Sequence, residues 1–170
     1  MTTLNSQLTK YSLFDQVTNL PNRYFVIDRI EQLIKSSKRV KTIFGVIFID
    51  IDNFKVVNDT FGHAIADALL KEFGFIVSSS IRQTDTVGRI GGDEFLVILT
   101  DVTSEKDINI IMLKIKNALT QKLSARNGKE LNITASMGTA LFPRDGNTFE
   151  ELLHHSDQNM YLEKKCSHTN

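Results

Sequence analysis

The run of residues 42–50, TIFGVIFID, constrains the fold of this chain more than any other segment. Its residues are mostly β-branched or aromatic, and no polar residue alternates with them before Asp50. A strand with one face in water would show such an alternation, so an uninterrupted apolar run predicts a strand that is covered on both faces. The chain must therefore supply helices to both sides of a central sheet.

The rest of the chain alternates between helical and strand-like patterns. Helices are predicted where apolar residues recur every three or four positions: over 21–37, over 64–79, from Ser104 onward and from Thr148 onward. Further strands are predicted over 86–90, 95–99 and 131–140. The glycines at 91 and 92 predict a tight hairpin between the first two of these. The order α-β-α-β-β-α-β-α predicts an α/β (α+β) fold with a mostly antiparallel central sheet flanked by helices.

Composition limits the class of protein. The 170 residues contain 20 Lys plus Arg and 20 Asp plus Glu, so the formal net charge is zero. This balance excludes a protein that holds nucleic acid by bulk electrostatic attraction, but it permits a small phosphate ligand. The single cysteine, Cys166, excludes an internal disulfide and indicates a reducing compartment.

The longest apolar run, 43–49, is too short to span a bilayer, so no membrane segment is expected. Residues 1–14 are predicted to be a lead-in or linker, and residues 15–168 to form one domain. We expect this domain to be cytoplasmic, either alone or as part of a longer, signal-sensing protein.

Two acidic clusters fall where strands are predicted to end. Asp50 and Asp52 close the apolar strand, and Asp93 and Glu94 follow the glycines of the hairpin. If these strands are neighbours, the carboxylates converge, and a hard cation such as Mg²⁺ would offset their repulsion and recruit phosphate oxygens. Acidic residues are also common in solvated turns. The residues alone leave both a metal–phosphate site and ordinary turn acids open.

Motifs spread along the chain add a resemblance. Residues 91–95 read Gly-Gly-Asp-Glu-Phe, and residues 50–59 fit the pattern D-x-D-x-F-K-x-x-N-D. Four further matching segments lie, in order around these, at 15–23, 61–67, 136–138 and 157–164. Together they resemble the GGDEF family of diguanylate cyclases over residues 12–165. This resemblance implies a palm-like nucleotidyl cyclase fold, shared in outline with adenylyl cyclases and polymerases.

The resemblance also implies a reaction. Two GTP molecules would be joined into cyclic di-GMP with release of two pyrophosphates, each 3′-hydroxyl attacking the other α-phosphate across a homodimer. The isolated domain is expected to be mostly monomeric and weakly active. Mg²⁺ (or Mn²⁺) would be held by the carboxylates of Asp50 and Asp93 and by the carbonyl of Ile51. Asp93 or Glu94 would deprotonate the 3′-hydroxyl, and both assignments stay open.

Further positions would bind GTP by the same resemblance: Phe54, Lys55, Asn58, His63, Asp67, Gly91, Gly92 and Lys164. Asn58 and Asp67 match guanine-reading positions, and a site built around the donors of guanine rejects adenine strongly. The alternative for Asn58 and Asp67 is helix capping. Phe54 could equally belong to the core, and Lys55 and Lys164 could be solvated surface lysines.

A second site is suggested by Arg82 and Asp85, which form an R-x-x-D motif with five residues between Asp85 and Gly91. This motif resembles the family's product-binding inhibitory site, to which the resemblance also assigns Arg89. Arginine can fork onto phosphate and stack on guanine. The alternative is a surface Arg–Asp pair of little energetic value.

One departure from the family pattern leaves functions other than cyclic di-GMP synthesis open. His168 stands where the family usually has an arginine that reaches the phosphates. The chain could therefore be a catalytically silent module that binds GTP or cyclic di-GMP and regulates a neighbouring domain. A third hypothesis is another nucleotidyl transferase or adenylyl cyclase, against which Asp67 argues.

Overall fold

A computed structural model describes residues 13–123 and 133–167 of the chain. The elements of this part are, in chain order, α1 (Arg23–Val40), β1 (Phe44–Ile51), α2 (Phe54–Phe61), α3 (His63–Ser80), β2 (Thr86–Arg89), β3 (Glu94–Leu99), α4 (Glu105–Leu123), β4 (Ala135–Phe142) and α5 (Phe149–Ser167).

The four strands form one antiparallel sheet in the order β2-β3-β1-β4, which confirms the predicted sheet and hairpin. β1 lies inside the sheet, and all its residues are buried except the half-buried Asp50. β4 begins and ends later than predicted because Leu141 and Phe142 still pair with the start of β1. Residues 131 and 132 of the predicted strand lie outside the described residues.

Helices cover both faces of the sheet, as the apolar run required. Alternate residues of β1 point to opposite faces. Ile47 and Ile49 belong to an apolar cluster with α3 and α4, whereas Val46 and Phe48 belong to a second cluster with α1 and α5. Asp50 continues the second set along the strand, so its side chain lies on the face that α1 and α5 cover.

The short helix α2 was not predicted from the sequence. Its eight residues make about two turns, too few for apolar residues to recur at helical spacing. Asn53 precedes it in a left-handed conformation with φ 57°, and Gly62 ends it with φ 84°. Gly62 adopts this backbone without the steric penalty that a side chain would bring. The corner at Gly62 sets α2 against the start of α3.

Among the described residues, no helix is both long enough and apolar enough to cross a membrane.

Candidate active site

The two acidic clusters meet at one end of the sheet. In the pairing of β1 with β3, Asp50 lies opposite Glu94. The hairpin turn is tied to the same point because the backbone N–H of Ile51 donates to the carbonyl of Asp93 at 3.1 Å. The predicted convergence of residues 43 positions apart is therefore confirmed, and antiparallel pairing is its cause.

The carboxylates in this acidic cluster, Asp50, Asp93 and Glu94, repel one another. Burial raises the pKa of Asp50, and the charges of Asp93 and Asp52 add to the effect, while a hydrogen bond from Lys164 opposes it. Burial also raises the pKa of Glu94, again with contributions from Asp50 and Asp93. The cluster therefore favours a bound cation, which would relieve the repulsion between the carboxylates without adding a proton.

Lys164 reaches the acidic cluster because α5 packs closely on β4. Its Nζ lies 2.9 Å from Oδ2 of Asp50. A side chain at Gly138 would overlap the carbonyl of Ser156 and the backbone of Met160, so the helix backbone rests directly on the strand. Burial would lower the pKa of Lys164, but the hydrogen bond to Asp50 and the negative charges of Asp50, Asp52 and Asp93 together raise it. Lys164 is thus a cation within reach of anything bound at Asp50.

The hairpin turn is held by a clamp formed by Asp15 and Arg89. The Nη1 of Arg89 donates to both carboxylate oxygens of Asp15, at 3.0 and 3.1 Å. Its Nε donates to the carbonyls of Gly91 and Gly92, and its Nη2 donates to Gly92 at 2.7 Å. Asp15 also accepts from the backbone N–H and hydroxyl of Thr18. The described hydrogen bonds of Arg89 therefore go to the hairpin and its support, and none goes to Arg82 or Asp85.

The two glycines of the turn differ in their surroundings. A side chain at Gly91 would overlap the carboxylate of Glu94, whereas one at Gly92 would meet nothing within 4 Å. A side chain at Gly91 would therefore displace the carboxylate of Glu94 from its position beside the turn. The open space at Gly92 leaves the backbone accessible to a ligand, as close approach of a phosphate demands.

The end of β1 is braced by β4 through Asp52. Its Oδ1 accepts from the hydroxyl of Ser136 and its Oδ2 from the hydroxyl of Thr134, both at 2.7 Å. Its backbone N–H donates to the carbonyl of Thr134 at 2.9 Å. These three bonds fix the turn that connects the acidic cluster to α2.

The predicted guanine-reading residues lie on the two helices that meet at Gly62. Neither caps α3, because Gly62 is the N-cap and makes no side-chain capping bond. The Oδ1 atom of Asn58 is buried and has no hydrogen-bond partner among the described residues. Buried polar atoms are normally paired, so an orphaned acceptor marks a place for a donor from a ligand. Asp67 and His63 are exposed on α3.

The remaining predicted GTP-binding residues occupy the first turn of α2. Phe54 is half-buried and packs against the apolar cluster shared with α3 and α4, so it has a core role whatever else it contacts. Lys55 is exposed, with its side chain free to reach solvent or ligand.

The R-x-x-D motif lies in the loop between α3 and β2. Asp85 closes this loop, since its carboxylate accepts from the backbone N–H of Arg82 at 3.0 Å and of Thr100 at 3.1 Å. The side chain of Arg82 is exposed, and no hydrogen bond or ion pair to its guanidinium is found within 13–123 and 133–167. It stands between two surface depressions of about 280 and 360 Å³, both of which Asp85 also lines.

The donor set can be tested against a divalent cation. No group of three or more His, Cys, Asp or Glu side chains within the described ranges is arranged to hold a metal ion. The set implied by the resemblance needs fewer, because it combines two carboxylates, Asp50 and Asp93, with the carbonyl of Ile51. Hard oxygen donors with an excess of negative charge suit Mg²⁺ or Mn²⁺. The residues therefore fit such an ion.

Sequence reasoning matched the motifs around Asp15 and Ser136 but gave them no task. The structure shows that the first motif provides Asp15 of the clamp. In the second motif, Ser136 donates to Asp52, and Gly138 leaves room for the backbone of α5. Glu163 was missed as well: its carboxylate accepts from the backbone N–H of Met137 at 2.7 Å and pairs with Lys116, which fixes α5 beside Lys164. The available signal was the motif match itself for Asp15 and Ser136, and for Glu163 its place beside the matched Lys164.

Comparisons with known proteins agree with this geometry. The profile of the family described as "Diguanylate cyclase, GGDEF domain" matches residues 12–170. The bifunctional diguanylate cyclase/cyclic di-GMP phosphodiesterase MucR of Pseudomonas aeruginosa is 39% identical over 160 residues, which cover 94% of this chain and 23% of MucR. The cyclic di-GMP phosphodiesterase NbdA of the same species is 32% identical over 166 residues, 98% of this chain and 21% of NbdA.

Solved structures show the same fold. The GGDEF domain of TpbB from Pseudomonas aeruginosa superimposes with a TM-score of 0.82 at 33% identity, covering 89% of this chain and 88% of that one. The chain thus matches a whole GGDEF domain, while it spans less than a quarter of MucR and of NbdA.

Proposed function

Since this chain belongs to the GGDEF family of diguanylate cyclase domains, we propose that it condenses two GTP molecules into cyclic di-GMP with release of two pyrophosphates. It acts in the cytoplasm, and it needs Mg²⁺ or Mn²⁺. The observation that carries the proposal is the meeting of Asp50 with the hairpin turn of Asp93 and Glu94 at one sheet end.

The acidic cluster supplies the groups for phosphoryl transfer. Asp50, Asp93 and the carbonyl of Ile51 would hold the cation, which when bound would neutralise charge growing on the phosphoryl oxygens. As the new bond forms between the 3′-oxygen and the α-phosphorus, the bond to pyrophosphate breaks and the hydroxyl proton leaves. Asp93 or Glu94 takes that proton. The raised pKa of Glu94 brings it nearer to the range that suits a general base.

Recognition of the nucleotide involves both sides of the cluster. The orphaned Oδ1 of Asn58 accepts from the guanine edge, and the exposed carboxylate of Asp67 accepts from a second guanine donor. Lys55 and Lys164 offset the charge of the triphosphate, and Gly91 and Gly92 line its approach. An amino group of guanine satisfies an acceptor that adenine leaves unpaired, which favours GTP over ATP.

Catalysis requires two copies of the domain. Each domain holds one GTP, and two active sites face each other so that each 3′-hydroxyl reaches the other α-phosphate. The isolated domain is therefore largely monomeric and gains activity with concentration. A ligand-free domain that forms a stable dimer by light scattering would contradict this part of the proposal.

The reaction is tested by incubating the domain with GTP and Mg²⁺ at high protein concentration and measuring cyclic di-GMP by mass spectrometry. The product is expected from the wild type and not from Asp93→Asn. ATP in place of GTP is expected to give no cyclic dinucleotide. No product despite intact GTP binding would reject the cyclase proposal.

Cyclic di-GMP inhibits the enzyme at a second site around Arg82 and Asp85. The guanidinium of Arg82, which has no partner in the described part of the chain, is available to bind phosphate or stack on guanine, and the depressions beside it offer space. Arg89 is assigned to this site by resemblance. Its guanidinium is engaged at the hairpin, so it contributes by anchoring the turn at Gly91 and Gly92. Arg82→Ala is expected to abolish product inhibition, and Arg39→Ala, an exposed arginine near the end of α1, to preserve it. Unchanged inhibition in Arg82→Ala would exclude this site.

The second candidate function is a silent GGDEF module that binds GTP or cyclic di-GMP and regulates a neighbouring domain. It is favoured by the similarity to NbdA, whose name gives a phosphodiesterase activity alone. His168, which bears on it, lies outside the described residues. Nucleotide binding without turnover, in the assay above, would select this function.

A further inference from the structure

We infer that Asp52 is a positioning residue that holds the Ile51 carbonyl and the start of α2 in the geometry that the cation and GTP require. The inference rests on the proposed function, to which it adds a residue. It starts from the three hydrogen bonds that join Asp52 to Thr134 and Ser136.

The turn after β1 needs an external support. β1 ends at Ile51, and Asn53 then takes a left-handed backbone with φ 57° before α2 begins at Phe54. A residue other than glycine in this conformation is uncommon and persists where surrounding contacts hold it. Asn53 has no side-chain capping bond of its own. The bonds of Asp52 therefore supply contacts that keep the chain in this turn.

The hydrogen bonds of Asp52 lie next to the Ile51 carbonyl, which is a proposed donor to the cation. Ile51 pairs with Ala135 and Asp50 pairs with Ser136, so β4 lies beside the acidic cluster. Of the residues that hold Asp52, Ser136 lies on this strand and Thr134 immediately precedes it. Loss of the two hydroxyl bonds would leave the peptide between Ile51 and Asp52, which carries the carbonyl donor, held at Thr134 by its backbone bond alone. Lys55 and Asn58, on the helix that follows, would move with it.

The chemistry explains an aspartate at this position. Two hydroxyl donors approach two different oxygens of one side chain, which an ionised carboxylate accepts equally well. An asparagine offers one accepting oxygen and an amide NH2, so one hydroxyl would have to turn and accept, and both bonds would lose their charged partner. The two hydroxyl bonds tie the carboxylate of Asp52 to Thr134 and Ser136, which is the arrangement of a support for the metal donors. Outer groups of this kind typically change metal affinity by about 10–100-fold.

The test measures binding of Mn²⁺ alone by electron paramagnetic resonance, well below the melting temperature. Asp52→Asn is expected to weaken Mn²⁺ binding by about tenfold or more. Thr134→Val and Ser136→Ala each remove one hydroxyl and leave every metal donor in place. Each is expected to weaken binding severalfold, and their combination with Asp52→Asn is expected to add little, because the charged partner of both hydroxyls is already lost.

A matched control is available at the other end of the sheet. Thr103 donates through its N–H and its hydroxyl to Asp107 at the start of α4, so this pair has the same chemistry far from the cation. Thr103→Val and Asp107→Asn are expected to alter the melting temperature and to leave Mn²⁺ affinity unchanged. A loss of affinity in these variants equal to that in Asp52→Asn would overturn the inference, because it would show a general effect of stability.

Two other results would also decide against the inference. If Asp52→Asn lost Mn²⁺ binding while Thr134→Val and Ser136→Ala kept it, Asp52 would be a metal ligand and not a support. If the wild type bound no Mn²⁺, the inference and the proposed cation would fall together. If the wild type bound Mn²⁺ but made no cyclic di-GMP, the proposed activity would fail while the variants still tested the inference.

Discussion

Two groups of charged residues lie side by side at the hairpin, and they differ in how well their charges are matched. In the clamp, the carboxylate of Asp15 accepts four described hydrogen bonds from Thr18 and Arg89. Burial opposes its ionisation, yet these bonds hold the pKa of Asp15 below its usual range. In the acidic cluster, burial and neighbouring carboxylates raise the pKa values of Asp50 and Glu94.

This difference distinguishes the residues that support the fold from those that could bind a ligand. All these carboxyl groups are partly buried, so burial alone cannot explain why their pKa values move in opposite directions. The clamp is complete without a ligand, and it fixes the hairpin. The acidic cluster has more negative charge than its neighbours balance, so it gains from binding a cation. The clamp thus stabilises the hairpin, whereas the acidic cluster destabilises the fold until a cation binds to it.

The largest expected effect comes from Asp93→Asn. Activity should fall by roughly a hundredfold or more, because a donor to the cation is lost. The unfolding free energy should stay unchanged or rise, because one of the repelling carboxylates has gone. Cyclic di-GMP production and urea unfolding of the same preparation measure the two quantities. A clear loss of stability would show that Asp93 supports the fold, and the contrast between the two groups would disappear.

Arg89→Met should have the opposite profile. It removes the donor to two carbonyls of the hairpin and leaves the carboxylate of Asp15 with only its bonds from Thr18, at a cost of about 3 kcal/mol in unfolding free energy. Arg89 is well enclosed, with 14% of its side chain exposed. The exposed Arg82→Met, seven residues earlier, provides the matched control and should cost little. Equal unfolding curves for wild type and Arg89→Met would show that the clamp does not stabilise the fold.

Two glycine substitutions sharpen the comparison further. In Gly138→Ala the new methyl group overlaps the backbone of α5, and the strain should cost about 2 kcal/mol and move Lys164 away from Asp50. Gly92→Ala places its methyl group in open space, so stability should hold while GTP binding weakens. Thermal unfolding and nucleotide titration distinguish the two variants. Equal losses of stability would mean that the open space at Gly92 is not kept for a ligand.

The smallest effect is a difference in pH dependence. The folded-state pKa of Asp15 lies below its ordinary 3.8, so its stabilisation is present above that pH and is lost as the pH falls through the lowered value. The folded-state pKa of Glu94 lies above its ordinary 4.5, so stability falls as the pH rises through the interval above 4.5. Unfolding across pH 3 to 7 should show the first slope missing in Asp15→Asn and the second missing in Glu94→Gln.

The sequence predicted the sheet and its two covered faces because long apolar segments carry a strong signal. It missed α2, where eight residues between two stronger elements give no helical repeat. It also predicted the acidic cluster, since the strands that carry Asp50 and Glu94 were expected to be neighbours. The clamp was beyond reach, because Asp15 and Arg89 are 74 positions apart and no local pattern joins them.

The sequence by itself determined the family, the class of fold and the residues of the acidic cluster, because these depend on local pattern and on motifs. Only the tertiary structure decided which charges are matched. Arg89 is engaged in the clamp and Arg82 is exposed, although both are arginines of the same loop and strand region. Asp52 is braced by two hydroxyls, whereas Asp50, two residues earlier, faces other carboxylates. Whether a charge supports the fold or awaits a ligand depends on its neighbours in space, and residues distant in the chain supply those neighbours.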